Sequence, residues 1–305
     1  MSIRILIAAR ALAGALALAA VPAFGQTKSQ PGAEVQMILT VADHMNHKPA
    51  ALKAEDVSIV DGTVTGLVPF EGGHELELYL VIDDAANYDF ASKLQELRQF
   101  VSEQPAPAAI GLAYIRDGTL QVVDDPTADR AQIRRDLRPP AGSSAANPYC
   151  AISDLIARWP SKTLRREIVL VSTGIDDSAA EGAVCVNAEK AIHDAERAGV
   201  TIYALYNPVT NYLAQKWSKV DSGVVDLAHV CYETGGEAYF IGHSPAESIA
   251  PFLSDITEHL AHQYLVKFRV APRQDAAFQT IFVSSPSYDR EFMKPESVWV
   301  PAPHR

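Results

Sequence analysis

The sequence predicts an α/β fold with a doubly wound, mostly parallel sheet and a small accessory β unit formed by both ends of the chain. Apolar strand-like runs alternate with helix-like segments over residues 75–262, which favours parallel strands covered by helices on both faces. The first run, LYLVIDD, passes directly from apolar residues into two carboxylates, as a buried strand does at the edge of such a sheet. Short alternating strands before residue 74 and after residue 262 predict the accessory unit.

The elements of the central domain follow from hydrophobic spacing. Strands are predicted at residues 76–82, 108–114, 119–123, 167–172, 201–206 and 238–241. Helices are predicted at residues 88–103, 128–137, 149–159, 184–198, 224–233 and 245–262. Outside them, strands are expected at residues 35–41, 57–60, 263–270, 279–283 and 297–300, and we expect the two terminal sets to pair in one small sheet.

The first 25 residues have the pattern of a secretory signal peptide. Arg4 and Arg10 give the start of the chain a positive charge. An apolar Ala/Leu run follows, and small residues precede Gln26. A membrane anchor is the alternative, but Pro22 ends a short run, and no later stretch is apolar enough to span a bilayer. We therefore expect a signal peptide at 1–25, an N-terminal β segment at 26–74, the central domain at 75–262 and a C-terminal β segment at 263–305. The mature chain is expected to be exported, to the periplasm or the exterior.

The charge balance of the chain argues against nucleic acid as a partner. The chain has 26 Lys and Arg against 37 Asp and Glu, a formal net charge of −11. No basic run exceeds two residues, so the phosphate neutralisation that nucleic-acid binding requires is disfavoured. The expected partner is another protein.

Three cysteines in an exported chain suggest one bridge and one remaining thiol. Cys150 and Cys185 flank loops expected at the same end of the sheet, which predicts a bridge between them, with two free thiols as the alternative. Cys231 lies on the apolar side of a predicted helix and is expected to be a small buried residue.

Three phrases carry a resemblance to a known family: LKAEDVSIVDG (residues 52–62), YETGGEAYF (232–240) and HQYLVKFRV (262–270). In this order around the alternating strands and helices, they resemble the exported bacterial von Willebrand factor A-related proteins of acidobacterial type. The resemblance implies a von Willebrand factor A domain preceded by a β segment, over roughly residues 35–301.

Where such domains bind metal, they use a metal-ion-dependent adhesion site, D-x-S-x-S with a Thr and an Asp from later loops. Mg²⁺ prefers six oxygen ligands, and such a site supplies them. Asp83 matches the first Asp, but Ala85 and Asn87 stand at the serine positions. The Thr position falls near Ala146 and the last Asp position on Thr173. The metal ligands that remain are Asp83 and Asn87, so the resemblance implies a degenerate site with no cofactor, although weak Mg²⁺ or Ca²⁺ binding stays open.

Without a metal, Asp83 is expected to accept hydrogen bonds from backbone N–H groups of the turn at residues 85–88. The segment 207–223 combines aromatic and basic residues, a composition common at interfaces, although the same aromatics at helical spacing equally predict core packing. The residues expected to contact a partner are Asp84, Tyr88, Tyr149, Asp176, Tyr212 and Trp217. The carboxylates Asp84, Asp89, Asp176 and Asp177 could also rebuild a cation site at this edge of the sheet, and the alternative is that they are simply solvated.

Two H-x-x-H pairs, His44 with His47 and His259 with His262, lack a third His or Cys at zinc-site spacing and are interpreted as surface or capping residues. No hydrolase or phosphate-binding motif occurs. The sequence therefore predicts a non-enzymatic, metal-independent interaction module. The alternatives are a metal-dependent adhesion receptor that uses an altered cation site around Asp83 and an enzyme whose site has no motif.

Overall fold

A computed structural model describes residues 32–42, 51–86, 90–142, 146–161, 163, 165–176, 187–206, 217–241, 247–286 and 290–302. The residues from Gly32 onwards form one unit. The expected signal peptide lies outside the described residues.

The strands, in chain order, are β1 (Ala33–Ala42), β2 (Ser58–Ile59), β3 (Gly62–Pro69), β4 (Leu76–Asp83), β5 (Ala109–Arg116), β6 (Thr119–Thr127), β7 (Arg165–Ser172), β8 (Val200–Tyr206), β9 (Ala238–Phe240), β10 (Gln263–Val270), β11 (Ala277–Thr280), β12 (Val283–Ser284), β13 (Glu291–Met293) and β14 (Ser297–Val300). The helices are α1 (Phe90–Glu103), α2 (Arg130–Asp136), α3 (Pro148–Arg158), α4 (Ala188–Ala198), α5 (Trp217–Glu233) and α6 (Ala250–Ala261). All twelve segments predicted for the central domain correspond to one of these elements.

The larger sheet contains six strands in the order β6-β5-β4-β7-β8-β9. All neighbouring pairs are parallel except β5 with β6, which form an antiparallel hairpin at one edge. Strand order reverses between β4 and β7, so that β5 and β6 extend to one side and β8 and β9 to the other. In open α/β sheets, ligands bind outside the carboxyl ends of the strands at such a reversal. The predicted mostly parallel α/β sheet is confirmed.

Helices cover both faces of this sheet. In β4, Leu78, Leu80 and Ile82 belong to one buried cluster with α1, α2 and α6, and the alternate residues Tyr79 and Val81 belong to a second cluster with α3, α4 and α5. Because successive strand residues point to opposite faces, a strand covered on both sides must be apolar throughout. This explains why the run before Asp83 is continuous and does not alternate.

The smaller sheet joins the two ends of the described chain in the antiparallel order β13-β1-β10-β3. The register of β1 and β10 runs from Ala33 opposite Val270 to Thr40 opposite Gln263. Together with the short pairs β11–β14 and β2–β12, these strands enclose a third core, which includes Leu39, Val266 and Phe268. The expectation that the terminal segments pair is confirmed for β1 with β10 and for β2 with β12, but these pairs lie in separate sheets and not in one.

Several boundaries differ from the prediction, and β3 was not predicted. Helix α5 begins at Trp217, seven residues earlier than expected, so part of the presumed loop 207–223 is helical. Helix α6 begins only at Ala250, because the Glu96 carboxylate from α1 accepts the N–H groups of Ile249 and Ala250, each at 2.7 Å, and so caps it from another element. Strand β13 was not predicted, since a strand of three residues is too short to show alternation.

Candidate functional site

We define the sheet mouth as residues 83–86, at the carboxyl end of β4, and residues 172–176, at the carboxyl end of β7. These two segments lie side by side at the strand-order reversal, because β4 and β7 are parallel neighbours. The mouth is therefore where an open α/β sheet places a ligand site, and it contains Asp83 and Thr173, which the sequence resemblance aligned with a metal-ion-dependent adhesion site.

Asp83 is fully buried at the centre of the mouth. Its Oδ1 accepts the N–H of Ala85 at 2.9 Å, and its Oδ2 accepts the hydroxyl of Ser172 at 2.8 Å. The same Ser172 oxygen accepts the N–H of Gly174 at 3.1 Å. The expectation that Asp83 holds the following turn is confirmed, and the bond to Ser172 additionally connects the two halves of the mouth.

Asp84 is also fully buried, and Arg138 binds it in a bidentate pair at 2.7 and 2.9 Å. The N–H of Ala141 donates to the same carboxylate at 3.0 Å. The Arg138 guanidinium lies 3.8 Å from the centre of the Tyr114 ring, and the Tyr114 hydroxyl accepts the Arg138 N–H at 2.7 Å. The expectation that Asp84 contacts a partner is wrong, as is the alternative of a solvated loop carboxylate, because a buried charge is retained only when it is paired.

Tyr149 lies within the core that covers the mouth and is not at its rim. It is 2% exposed, and its hydroxyl donates to the carbonyl oxygen of Gly174 at 3.1 Å. Burial raises the pKa of this phenol well above its usual value, with the Asp226 and Asp176 charges adding to the effect. The expected partner contact through Tyr149 is therefore also wrong: the phenol ties α3 to the mouth.

Thr173, at the position where a metal-binding domain has its last Asp, is 2% exposed and accepts the N–H of Ile175 at 3.2 Å. Gly174 has φ of +73°, and a Cβ on it would lie 2.7 Å from the Gly223 carbonyl oxygen of α5. The backbone of the mouth thus contacts a helix directly, which only glycine permits at this φ.

The remaining predicted residues are only partly described. Asn87, Tyr88, Tyr212 and Cys185 lie outside the described residues, so the second metal ligand, two partner contacts and the Cys150–Cys185 bridge stay predictions. Trp217 begins α5, but its side chain is not described. Asp176 is half-buried at the end of the mouth. Cys231 is a fully buried free thiol, as expected.

A second polar cluster, which sequence reasoning did not find, lies at the opposite end of the sheet. Glu237 precedes β9, while Asp255 and His259 lie one turn apart on α6, and the ligand atoms of all three lie within 4.8 Å of one another. The Tyr239 hydroxyl donates to Asp255 at 2.7 Å and lies 3.5 Å from His259 Nδ1. The usable signal was the pair Asp255-x-x-x-His259 on a predicted helix, because side chains four residues apart share a helix face. His262 does not join them, since its Nδ1 lies 2.9 Å from the carbonyl oxygen of Glu258.

This second cluster opens into a cavity of about 540 Å³. Its walls come from Val41 and Ala42 of β1, the stretch from Glu291 to Lys294 around β13, the turn from Gly235 to Glu237 before β9, and one face of α6. Glu258 and Glu296 add carboxylates, and Lys294 forms an ion pair with Glu296. The cavity is therefore mainly acidic.

The sequence was also compared with known proteins. No family model matches it, and no curated protein is similar to it. Within the part of the chain that the structure describes, no helix is both long and apolar enough to span a membrane.

Proposed function

We propose that this chain is an exported, non-enzymatic protein-interaction module whose central domain is of the von Willebrand factor A type and whose sheet mouth works without a metal ion. The observation that carries the proposal is the pairing of the two mouth carboxylates. Asp83 is engaged by Ser172 and the Ala85 N–H, and Asp84 by Arg138.

A cation at the mouth would have to compete with these groups. Mg²⁺ gives up its bound waters reluctantly and needs several anionic or strongly polar oxygens in return. A guanidinium already neutralises Asp84. Ala85 has no side-chain oxygen, and the Thr173 hydroxyl is buried against its own loop. The hydrogen bonds of the mouth thus perform the positioning that a metal ion provides in a complete adhesion site.

The assignment to the A-domain type rests on the sequence resemblance and on the order of the strands. The phrase at residues 232–240 covers the end of α5 and β9, and the phrase at 262–270 covers β10. The strand-order reversal between β4 and β7 puts Asp83 where a doubly wound fold places its ligand. Fold analogy alone does not give function, so the interaction role is argued from the mouth itself. The pattern of the first 25 residues supports export.

The proposal predicts that partner capture is independent of chelator. The full exported chain would be immobilised and incubated with envelope extract in millimolar Mg²⁺ or in excess EDTA, beside the variant Asp83→Asn as a matched control. Asparagine keeps an oxygen for the Ala85 N–H and removes the charge that a cation needs. We expect the same protein to be retained, in similar amount, by both baits and in both buffers.

Loss of that protein in EDTA, restored by Mg²⁺ with the native bait but not with Asp83→Asn, would contradict the proposal and favour the metal-dependent adhesion receptor. Retention that depends on turnover of an added small molecule would instead favour an enzyme. A loss in EDTA that only Zn²⁺ restores would indicate a metal site away from the mouth.

A further inference from the structure

The cluster of Glu237, Asp255 and His259 has the composition of a metal site. One imidazole nitrogen and two carboxylate oxygens lie within 4.8 Å of one another, close enough for small side-chain rotations to bring them onto one ion. Asp255 and His259 share a face of α6, and Glu237 reaches them from the turn before β9. Because the ligands come from α6 and from the turn before β9, the fold sets their positions relative to one another.

The charges of this cluster are not balanced by the described chain. Neither Glu237 nor Asp255 forms an ion pair with a lysine or arginine among the described residues, although both face the same acidic cavity. The Tyr239 hydroxyl lies 2.7 Å from Asp255 Oδ2 and 3.4 Å from Glu237 Oε2, and it carries no positive charge to balance them. Two neighbouring carboxylates repel each other, and a divalent cation between them would remove that repulsion.

His259 provides a second and independent indication. Its side chain is nine-tenths buried, at 7% exposure, yet it lines the cavity. The Tyr239 hydroxyl has one proton, which the 2.7 Å bond directs to Asp255, so its 3.5 Å contact with His259 is weak. The imidazole ring stacks on Tyr203, and because its side-chain hydrogen-bond contact in the described chain is long, one ring nitrogen retains a lone pair for a ligand. The Tyr239 bond also orients Asp255, as partners of metal-bound carboxylates do.

From these observations we propose that Glu237, Asp255 and His259 bind one divalent transition-metal ion of the zinc class. The imidazole favours Zn²⁺ over Mg²⁺ and Ca²⁺, which prefer oxygen alone. Three protein ligands leave a fourth position open, and it would face the 540 Å³ cavity. A small anionic or carbonyl ligand at that position would meet the metal and the wall from β1 and β13.

The site goes beyond the function proposed for the mouth. Glu237 lies before a strand that is parallel to β8, and Asp83 lies after one that is parallel to β7, so the two sites are at opposite ends of the sheet. Metal binding here would add a link between β9 and α6 beside the seam of the two sheets. Neither site depends on the other, and a test of one does not decide the other.

The test is calorimetric titration of Zn²⁺ into the full exported chain after removal of bound metal with a chelator. We expect one Zn²⁺ per chain, no heat from Mg²⁺ or Ca²⁺ at the same concentration, and a rise in melting temperature with Zn²⁺. The variants His259→Ala, Asp255→Asn and Glu237→Gln should each weaken Zn²⁺ binding at least about tenfold. The control is Glu258→Gln, which changes a carboxylate of the same cavity and helix outside the cluster and should leave affinity unchanged.

Cobalt gives a readout that does not depend on stability. Bound Co²⁺ in a four-coordinate site should give a visible absorption band, which Asp255→Asn abolishes and Glu258→Gln retains. Because Asp255→Asn and Glu237→Gln preserve shape, their folding can be checked by circular dichroism before titration. Absence of stoichiometric Zn²⁺ binding by the native chain, or binding that survives both isosteric variants, would overturn the proposal.

Discussion

Replacing Arg165 with methionine is expected to lower the free energy of unfolding by about 3–5 kcal/mol, because it removes one partner of a buried charged network. Arg165 is fully buried at the start of β7. It donates to Gln263 at 2.7 Å, to the Gly72 carbonyl at 2.9 Å and to the Leu260 carbonyl. These contacts join the central sheet to the end of α6 and to β10, and methionine can replace none of them.

The loss of unfolding free energy should depend on pH, because Gln263, which binds Arg165, also donates a hydrogen bond to the Glu167 carboxyl group. Burial raises the pKa of Glu167 to about 8, and the Arg165 charge opposes that rise. A carboxyl with a raised pKa in the folded state keeps a proton that the unfolded chain releases, so stability falls as the pH rises from about 4.5 towards about 8. Without Arg165 the pKa rises further and the fall extends to higher pH.

Denaturant unfolding at about pH 5 and about pH 9.5, above the raised pKa of Glu167, measures both effects. The loss of unfolding free energy in Arg165→Met, relative to the native chain, should be larger at the higher pH. Adding Glu167→Gln should make that loss the same at both pH values. The control is Arg269→Ala, which breaks an exposed pair with Glu34 and should cost less than about 1 kcal/mol. Equal deficits for the two arginines, or no change with pH, would show that the buried network does not stabilise the fold.

The second large effect concerns the mouth: Arg138→Ala should cost about 3 kcal/mol. It leaves the fully buried Asp84 carboxylate with the Ala141 N–H as its remaining described donor. The value lies at the low end for a buried pair, because the Arg138 side chain is 37% exposed and water can partly replace it.

Thermal and denaturant unfolding check this value against Arg135→Ala. Arg135 pairs with Asp136 at the surface, with side chains 68% and 32% exposed, so its loss should cost less than about 0.5 kcal/mol. Adding Asp84→Asn to Arg138→Ala should recover part of the stability, because a neutral amide is less costly to bury unpaired than a charge. Equal costs for Arg138→Ala and Arg135→Ala would mean that Asp84 does not need the guanidinium, and would remove a main support of the metal-independent mouth.

Local patterns in the sequence were sufficient to predict the central fold. The apolar run of β4 followed by Asp83 marked both a doubly covered strand and its carboxyl end, because alternation disappears when both faces are buried. The helix predicted to end at residue 198 does end there, and the next residue, Gly199, has the φ of +66° that favours glycine. The bond from the Ala85 N–H to Asp83 spans two residues and was therefore also predictable.

Contacts between distant segments were not predictable in this way. Asp84 was expected to contact a partner protein, because the arginine that pairs with it, Arg138, lies 54 residues away and no local pattern connects the two. The start of α6 is set by Glu96, more than 150 residues earlier. The cluster at the other end of the sheet combines Glu237 with two residues of α6, and only the tertiary fold brings them together. Charged pairs of this kind have no periodicity from which to infer them.

The most direct test of the metal-independent mouth is the melting temperature of the full chain in millimolar Mg²⁺ or Ca²⁺, beside a metal-free sample and the variant Asp83→Asn. A ligand that binds only the folded state must raise the melting temperature by mass action. Because the mouth carboxylates are already engaged by Ser172, Ala85 and Arg138, we expect no change with either ion in either protein. A clear rise with Mg²⁺ or Ca²⁺ that Asp83→Asn abolishes would contradict this account and show that the mouth binds a cation.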